Sequence, residues 1–258
     1  MHEFPIVPVE LGGLTLNLDL SAILAILVSC VVTFLIARLA VSNLSVSNPS
    51  KMQNFLEWVV DFVHNTIAST MPLNKVKPYL SLGMTLIMFI FVSNLLGLPL
   101  GVVTEVDKPI EWLHITEEDI KVAEENHEHI AIAWWKSPTA DLSVTAGLAL
   151  IVFVMIHFLG LKLNRKYYLK HYFEPFPVFF PLNLIKEIAK PITLSLRLYA
   201  NIFAGEVLIS TILMLGIIGT PFLIAWQAFS IFVGAIQAFL FTILTMVYIS
   251  QATIHDEH

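Results

Sequence analysis

Long apolar runs constrain this chain more than any other feature. Five runs cover residues 20–41, 79–100, 141–161, 182–218 and 221–250. The hydrocarbon core of a bilayer is about 30 Å thick, and about 20 apolar residues of helix cross it. Only helices and closed barrels satisfy every backbone polar group in lipid. The sequence therefore predicts an all-α integral membrane protein with about five transmembrane helices, forming a single membrane domain over 1–258.

The composition agrees with this class. Of the 258 residues, 57% are hydrophobic and only 13% are charged, whereas soluble domains have about a quarter of their residues charged. Half of the Asp and Glu residues fall between Glu105 and Asp141, so the net charge of -6 belongs mainly to a polar insert, 102–139. This distribution argues against a nucleic-acid partner. The single cysteine, Cys30, excludes an internal disulfide.

Residues 50–71 have a different pattern. Their apolar residues recur at near-helical spacing, and Glu57, Asp61 and His64 fall between them. The apolar set is Phe55, Val59, Phe62, Val63 and Ile67. This spacing predicts an amphipathic helix lying at the membrane surface.

Basic residues near the ends of the runs predict the orientation. One group is Arg38, Lys51, Lys75 and Lys77, and the other is Lys162, Arg165, Lys166 and Lys170. Both groups lie on one side of the membrane if the chain crosses it five times. Because loops rich in Lys and Arg stay in the cytoplasm, the N-terminus and the insert 102–139 are predicted outside, and the C-terminus inside.

The last two runs are too long to stand upright. At 1.5 Å per residue, the run 182–218 would extend about 56 Å, nearly twice the membrane thickness. The run 221–250 is also longer than an upright span needs. Gly219-Thr220-Pro221 joins them, so we expect a strongly tilted helical hairpin. Pro191 removes one backbone hydrogen bond, a common cause of a kink in a helix.

An arginine, Arg197, lies in the middle of the fourth run. A cation at this depth costs ~2.5–3.5 kcal/mol on insertion scales, so it usually marks a functional site. At 100° per residue, Asn201 lies nearly on the face of Arg197, whereas Glu206 points to the opposite side and Glu187 to another face. The cation thus lacks a carboxylate beside it. Because arginine keeps its proton, we expect it to gate a titratable carboxylate of another subunit.

Further polar residues lie within the other runs. The fifth run carries Gln227, Ser230, Gly234 and Gln237. Their spacings of three, four and three form one stripe, which is as typical of a helix contact in lipid as of a water path. Asn94 lies on the second run. Asp141 is expected to cap the third run.

A metal site has little support in the sequence. His127 and His129 have neither a Cys nor a second His at helical spacing beside them. We expect no metal and no cofactor.

Several motifs resemble subunit a of the membrane (Fo) sector of F-type ATP synthases, in the bacterial form. The main one is Pro191 to Glu206, with its core Leu-Arg-Leu-Tyr-Ala-Asn. The others are Gln237-Ala238-Phe239, Thr245 to Ser250, and Asn183-Leu184-Ile185-Lys186-Glu187. The resemblance covers most of the chain in the order of its spans.

The resemblance implies a non-catalytic stator subunit of a rotary ATP synthase in the bacterial cell membrane. Two offset half-channels would carry protons to and from a c-ring, and the arginine would gate the ring carboxylates. The implied proton-translocating residues are Arg197, Glu206, Asn201, Gln237, Glu187, Ser230, Asn94 and Asp141. The implied partners are the c-ring, the peripheral-stalk b subunits and the rest of the complex. Some relatives have a histidine where this chain has Ser230, so a water is expected to relay the proton there.

A secondary transporter that binds an anionic substrate through Arg197 is the alternative. Such transporters usually contain inverted repeats and paired broken helices, and neither is visible in this sequence. An intramembrane enzyme would need a nucleophile with its base or a cluster of metal ligands, and no such pattern is visible.

Overall fold

The computed structural model describes residues 2–3, 5–11, 14–98, 103–105, 110, 120–121, 131–173 and 176–253. The long helices within these ranges are α1 (Leu20–Ala40), α2 (Lys51–Ala68), α3 (Lys77–Leu96), α4 (Leu142–His171), α5 (Phe180–Leu213) and α6 (Thr220–Thr253). All of these except α2 are long and apolar enough to cross a membrane. The predicted all-α membrane fold is confirmed. Most of the insert, including His127 and His129, lies outside the described residues.

Among the described residues, five short strands lie at the end of the bundle where α1 begins, called here the amino end. Strands β2 (Ile6–Leu11) and β3 (Leu14–Asp19) pair antiparallel, with Leu11 opposite Leu14. Strand β5 (Ala131–Ala133) pairs parallel with β1 (His2–Glu3) and antiparallel with β4 (Val103–Glu105). The sequence analysis missed these strands, although a Gly-Gly pair between apolar stretches is a common hairpin signal.

Polar side chains fix where three of the helices begin. The Asp19 carboxylate accepts hydrogen bonds from the N–H groups of Ser21 and Ala22 and caps α1. Asp141 caps α4 in the same way through the N–H of Ser143, and Ser50 caps α2. These bonds satisfy N–H groups that the first helical turn leaves without a partner. The expected capping role of Asp141 is confirmed.

Helix α2 uses its apolar stripe in two ways. Val59, Val63 and Ile67 are buried against the bundle. Gly83 of α3 allows this close approach, because a Cβ there would lie 2.9 Å from Val63 Cγ1. Trp58 and Phe62 stack on each other and remain exposed. An apolar exposed edge next to Glu57 and Asp61 is what a helix at a lipid surface requires, and its place in the membrane stays a prediction.

Helices α5 and α6 form the long hairpin. Each contains 34 residues and is about 51 Å long. Helix α5 continues through Pro191. It ends at Leu213, five residues before the predicted bound of 218, and a short 3-10 helix, Gly216–Gly219, follows. Gly216 has φ 61°, a left-handed conformation that favours glycine and ends the helix early.

Helix α4 is longer than the apolar run 141–161 that predicted it, because it extends to His171. Its last turns contain Lys162, Arg165 and Lys170, which leave the apolar pattern but are good helix formers. Loss of apolar residues therefore marked the end of the span and not the end of the helix.

Candidate functional site

Arg197 lies on the exposed side of α5. Leu194, Ser195 and Leu198 of the same turn are buried against the bundle. At 100° per residue, Arg197 lies about 105° from the centre of this buried face, beside it on the helix surface. Arg197 forms neither an ion pair nor a hydrogen bond with any other residue that the structure describes. This agrees with the helical geometry, which left the cation without a carboxylate of its own chain.

A cavity of about 400 Å³ lies between α3, α5 and α6 near the amino end, and its mostly apolar wall carries several polar side chains. Four of the predicted site residues line it: Asn94, Asn201, Glu206 and Ser230. Arg197 is not among the described residues of its wall. Asn201 is four residues from Arg197, which is about 6 Å along the helix. The cavity therefore ends about one helical turn from the arginine.

Glu206 is the carboxylate of this cavity. Its Oε1 accepts a hydrogen bond from the backbone N–H of Ser137 at 3.1 Å. Ser137 comes from the last residues of the insert, 69 positions earlier in the chain. A charge-assisted bond from a backbone N–H favours the ionised carboxylate, so the end of the insert belongs to the site.

The segment 137–140 lies beside the cavity, and its first residue, Ser137, forms part of the cavity wall. All four of its residues are buried, and Pro138–Ala140 form a short 3-10 helix. The hydroxyl of Ser137 donates to the carbonyl of Ser93 at 3.2 Å. Trp135 Nε1–H donates to the carbonyl of Leu96 at 3.0 Å. These bonds attach the end of the insert to α3.

Asn94 joins three parts of the chain. Its Nδ2 donates to the carbonyl of Gly234 on α6 at 3.0 Å. Its Oδ1 accepts from the hydroxyl of Thr139 at 2.6 Å. A Cβ at position 234 would lie 3.1 Å from Asn94 Cβ, so glycine permits this contact. Asn94 therefore sets the position of α6 and of the insert at the cavity.

Replacing Asn94 with leucine should destabilise the subunit. The change removes both hydrogen bonds, which contribute about 0.5–1.5 kcal/mol each, so we expect a loss of about 1–3 kcal/mol in the free energy of unfolding. Thermal unfolding of the purified complex in detergent measures the effect. Thr85→Ala on the same helix is the control, because Thr85 is exposed and bonds only to its own helix. An equal melting temperature for Asn94→Leu and the control would contradict the prediction.

The polar stripe of α6 contacts α3 at two positions and lines the cavity at a third. Gln227 Nε2 donates to the carbonyl of Leu98 at 3.2 Å, and Gly234 accepts from Asn94, so these two positions contact α3. Ser230 lines the cavity, and its buried hydroxyl has no hydrogen-bond partner within the described part of the chain. Gln237 is buried deeper in the bundle. A cavity-lining hydroxyl without a protein partner is suited to holding a water.

Glu187 lies at the opposite end of the bundle in a different environment. It is only 8% exposed and accepts a hydrogen bond from Lys190 Nζ. Lys190 Nζ also lies 5.2 Å from the centre of the Tyr248 ring. The adjoining cavity measures only about 10 Å³, which is room for one water at most. The inner carboxylate is therefore ion-paired and enclosed, whereas Glu206 faces a large cavity.

Asp141 belongs to a separate cluster at the amino end. Its Oδ2 accepts a hydrogen bond from Lys136 Nζ at 2.7 Å, and Lys136 also pairs with Asp19. Burial by itself would raise the pKa of the Asp141 carboxyl, but the hydrogen bond and charge of Lys136, together with the bonds from Ser143, hold this pKa below its ordinary value. Within the described ranges, Asp141 does not line the cavity.

The eight predicted site residues thus do not form one site. Asn94, Asn201, Glu206 and Ser230 meet at the cavity, while Arg197, Gln237, Glu187 and Asp141 lie elsewhere. The sequence analysis missed Ser137, Thr139 and Lys136, because no spacing rule connects the insert to α5. Searching the described residues reveals no group of three or more His, Cys, Asp or Glu that could hold a metal.

Comparison with known proteins gives a consistent result. The family described as ATP synthase A chain matches residues 21–250. The chain is 45% identical over 265 residues to ATP synthase subunit a of Bacillus velezensis, covering 96% of this chain and 97% of the relative. It is 47% identical over 263 residues to ATP synthase subunit a of Anoxybacillus flavithermus, covering 99% of each.

These similarities give no support to the secondary-transporter alternative. They extend over α1 to α6 and include the segment that carries Arg197. The chain belongs to the ATP synthase A chain family, the non-catalytic, proton-translocating component of the Fo sector in the membrane.

Proposed function

We propose that this subunit conducts protons along two offset paths that meet at Arg197, where each proton passes to or from a carboxylate of a c-ring. The observation that carries the proposal is the exposed Arg197, unpaired among the described residues and about one helical turn from the cavity that contains Glu206. As a member of its family, the chain works in a membrane with the rest of the ATP synthase, and the chemistry of ATP takes place in the F1 part.

The cavity supplies the inlet in this proposal. Water in the cavity brings protons to Glu206, and Asn94, Asn201 and Ser230 provide polar atoms along its wall. Gln237 continues this polar surface into the bundle. Ser230 supports a relay through water, because its hydroxyl is buried at the cavity and no other described group bonds to it.

Arg197 acts as the gate between the two paths. A fixed cation attracts an ionised ring carboxylate and has little attraction for a protonated one. The ring carboxylate must therefore release its proton towards the outlet before it passes Arg197, and it can take up another only from the inlet. The same charge repels protons that would otherwise pass directly from one path to the other.

Glu187 marks the outlet at the opposite end. Its pairing with Lys190 and the small cavity beside it support a path that opens only where the ring completes it. Asp141 contributes at the inlet side through Lys136.

The orientation proposed from the basic residues puts the amino end outside and the C-terminus in the cytoplasm. Helix α2 then lies at the cytoplasmic surface, and the insert 102–139 lies outside. The peripheral-stalk b subunits hold the subunit against the rotating ring.

Disulfide cross-linking tests the ring-facing side of α5. Ala204 is seven residues from Arg197 and lies within about 20° of its face, whereas the equally exposed Phe203 lies about 120° away. Ala204→Cys should cross-link to a ring carrying a cysteine at the same membrane depth, about two helical turns from its carboxylate. Phe203→Cys is the matched control and should cross-link several-fold less. Preferential cross-linking of Phe203→Cys would show that Arg197 faces away from the ring.

A further inference from the structure

We propose that Lys136 is a positioning residue, which bridges Asp19 and Asp141 and thereby holds the N–H of Ser137 on the carboxylate of Glu206. The inference rests on the proposed function, because it assigns a role in proton uptake to a residue outside the cavity. It connects the starts of two transmembrane helices to the inlet carboxylate.

Each aspartate divides its oxygens between two tasks. Asp19 caps α1 through Oδ1 and pairs with Lys136 through Oδ2. Asp141 caps α4 through Oδ1 and pairs with Lys136 through Oδ2. The side chain of Lys136 is only 9% exposed. A single ammonium group therefore joins the beginnings of α1 and α4 at one point.

The residue after Lys136 is the one that contacts Glu206. Ser137 is 1% exposed, and its hydroxyl donates to the carbonyl of Ser93. Its backbone has φ -60° and ψ 132°, the extended conformation that a following proline favours. The lysine bridge fixes the backbone on one side of the Ser137 N–H, and Pro138 fixes it on the other.

The bridge is present over a wide range of pH. Burial by itself would lower the pKa of Lys136, but its bonds to Asp141 and Asp19 and their charges raise this pKa above the ordinary 10.5. The pKa of Asp141 is held below the ordinary 3.8. The stabilisation from Asp141 is complete above pH 3.8 and is lost as the pH falls through its lowered pKa. The stabilisation from Lys136 is complete below pH 10.5 and is lost as the pH rises through the raised pKa of this lysine.

Two effects on Glu206 follow from this arrangement. The Ser137 N–H and the charge of Lys136 both favour the ionised carboxylate. Among the described charged groups, Arg197 is on the same helix as Glu206 but nine residues away, and Asp19 and Asp141 are each paired with Lys136. The described wall residues from α3 and α6 carry no titratable group. Lys136 is therefore the cation that acts on Glu206 from the insert.

Proton conduction through membrane vesicles stripped of F1 tests the proposal. Lys136→Met should still assemble with the ring. It should conduct protons about tenfold more slowly, because a misplaced reacting group commonly costs this much or more. It should also reach half-maximal conduction at a higher external pH. Lys136→Arg keeps the bridging charge and should conduct within about twofold of wild type. Lys121→Met is the control, since Lys121 is exposed and has no ion pair with a described residue.

Each outcome decides the proposal. Wild-type rates and pH profile in Lys136→Met, or an equal defect in Lys136→Arg, would overturn it. If Lys136→Met does not assemble, Asp19→Asn and Asp141→Asn each remove half of the bridge, and a wild-type pH profile in both would overturn it. Wild-type vesicles that do not conduct would instead contradict the proposed function.

Discussion

Replacing Arg197 with alanine should abolish proton-driven ATP synthesis in the reconstituted complex, while the complex still assembles. Among the described residues, the guanidinium has no bond within its own chain, so its removal breaks no internal contact. It also removes a cation that costs ~2.5–3.5 kcal/mol to place in a bilayer. In the proposed mechanism, no other group then displaces the proton from a ring carboxylate. We expect synthesis to fall by roughly 100-fold or more, the usual cost of deleting a preorganised charge.

Synthesis in proteoliposomes, driven by an imposed proton gradient, measures this effect. Arg38→Ala is the matched control, because Arg38 is also exposed but lies at the end of α1, away from α5. Recovery of the ring with the purified variant separates assembly from function. Normal synthesis by an assembled Arg197→Ala complex would exclude the gating role.

Replacing Glu206 with glutamine should slow proton flux by at least about tenfold, because a positioned acid or base commonly contributes this much or more. Glutamine has nearly the same shape, and its amide oxygen can still accept from the Ser137 N–H, so the cavity wall should be retained. What the variant lacks is the ability to take up and release a proton at this position.

The flux is measured as proton uptake by vesicles stripped of F1, under an imposed membrane potential. Glu206→Asp keeps a titratable group and should retain more flux than Glu206→Gln. An unchanged rate in Glu206→Gln would remove Glu206 from the proton path.

Most of the fold could be predicted from the sequence, because crossing a lipid bilayer requires a simple sequence pattern. Each span needs about 20 apolar residues, and the five runs satisfied this with bounds close to those of the helices. The predicted bounds were wrong where a helix and its apolar run end at different residues. Helix α4 continues beyond its apolar run, and α5 ends early where Gly216 takes a left-handed conformation.

The site was accessible only in part. Charge and helical geometry identified Arg197 as lacking a partner on its own helix, and polar residues in apolar runs identified Glu206, Asn201, Ser230 and Asn94. The contacts of the insert could not be predicted in this way. Ser137 and Glu206 are 69 positions apart, and the spacing rules that describe one helix contain no information about a loop that folds back onto it.

The order in which the residues of the cavity wall occur along the chain has a consequence for biosynthesis. Asn94 leaves the ribosome first, then Ser137, then Asn201 and Glu206, and finally Ser230 on α6. A nascent chain that has not yet inserted α6 carries Arg197 but lacks one side of the cavity. The cavity is therefore completed only by α6, so that a partly synthesised subunit does not contain the finished cavity.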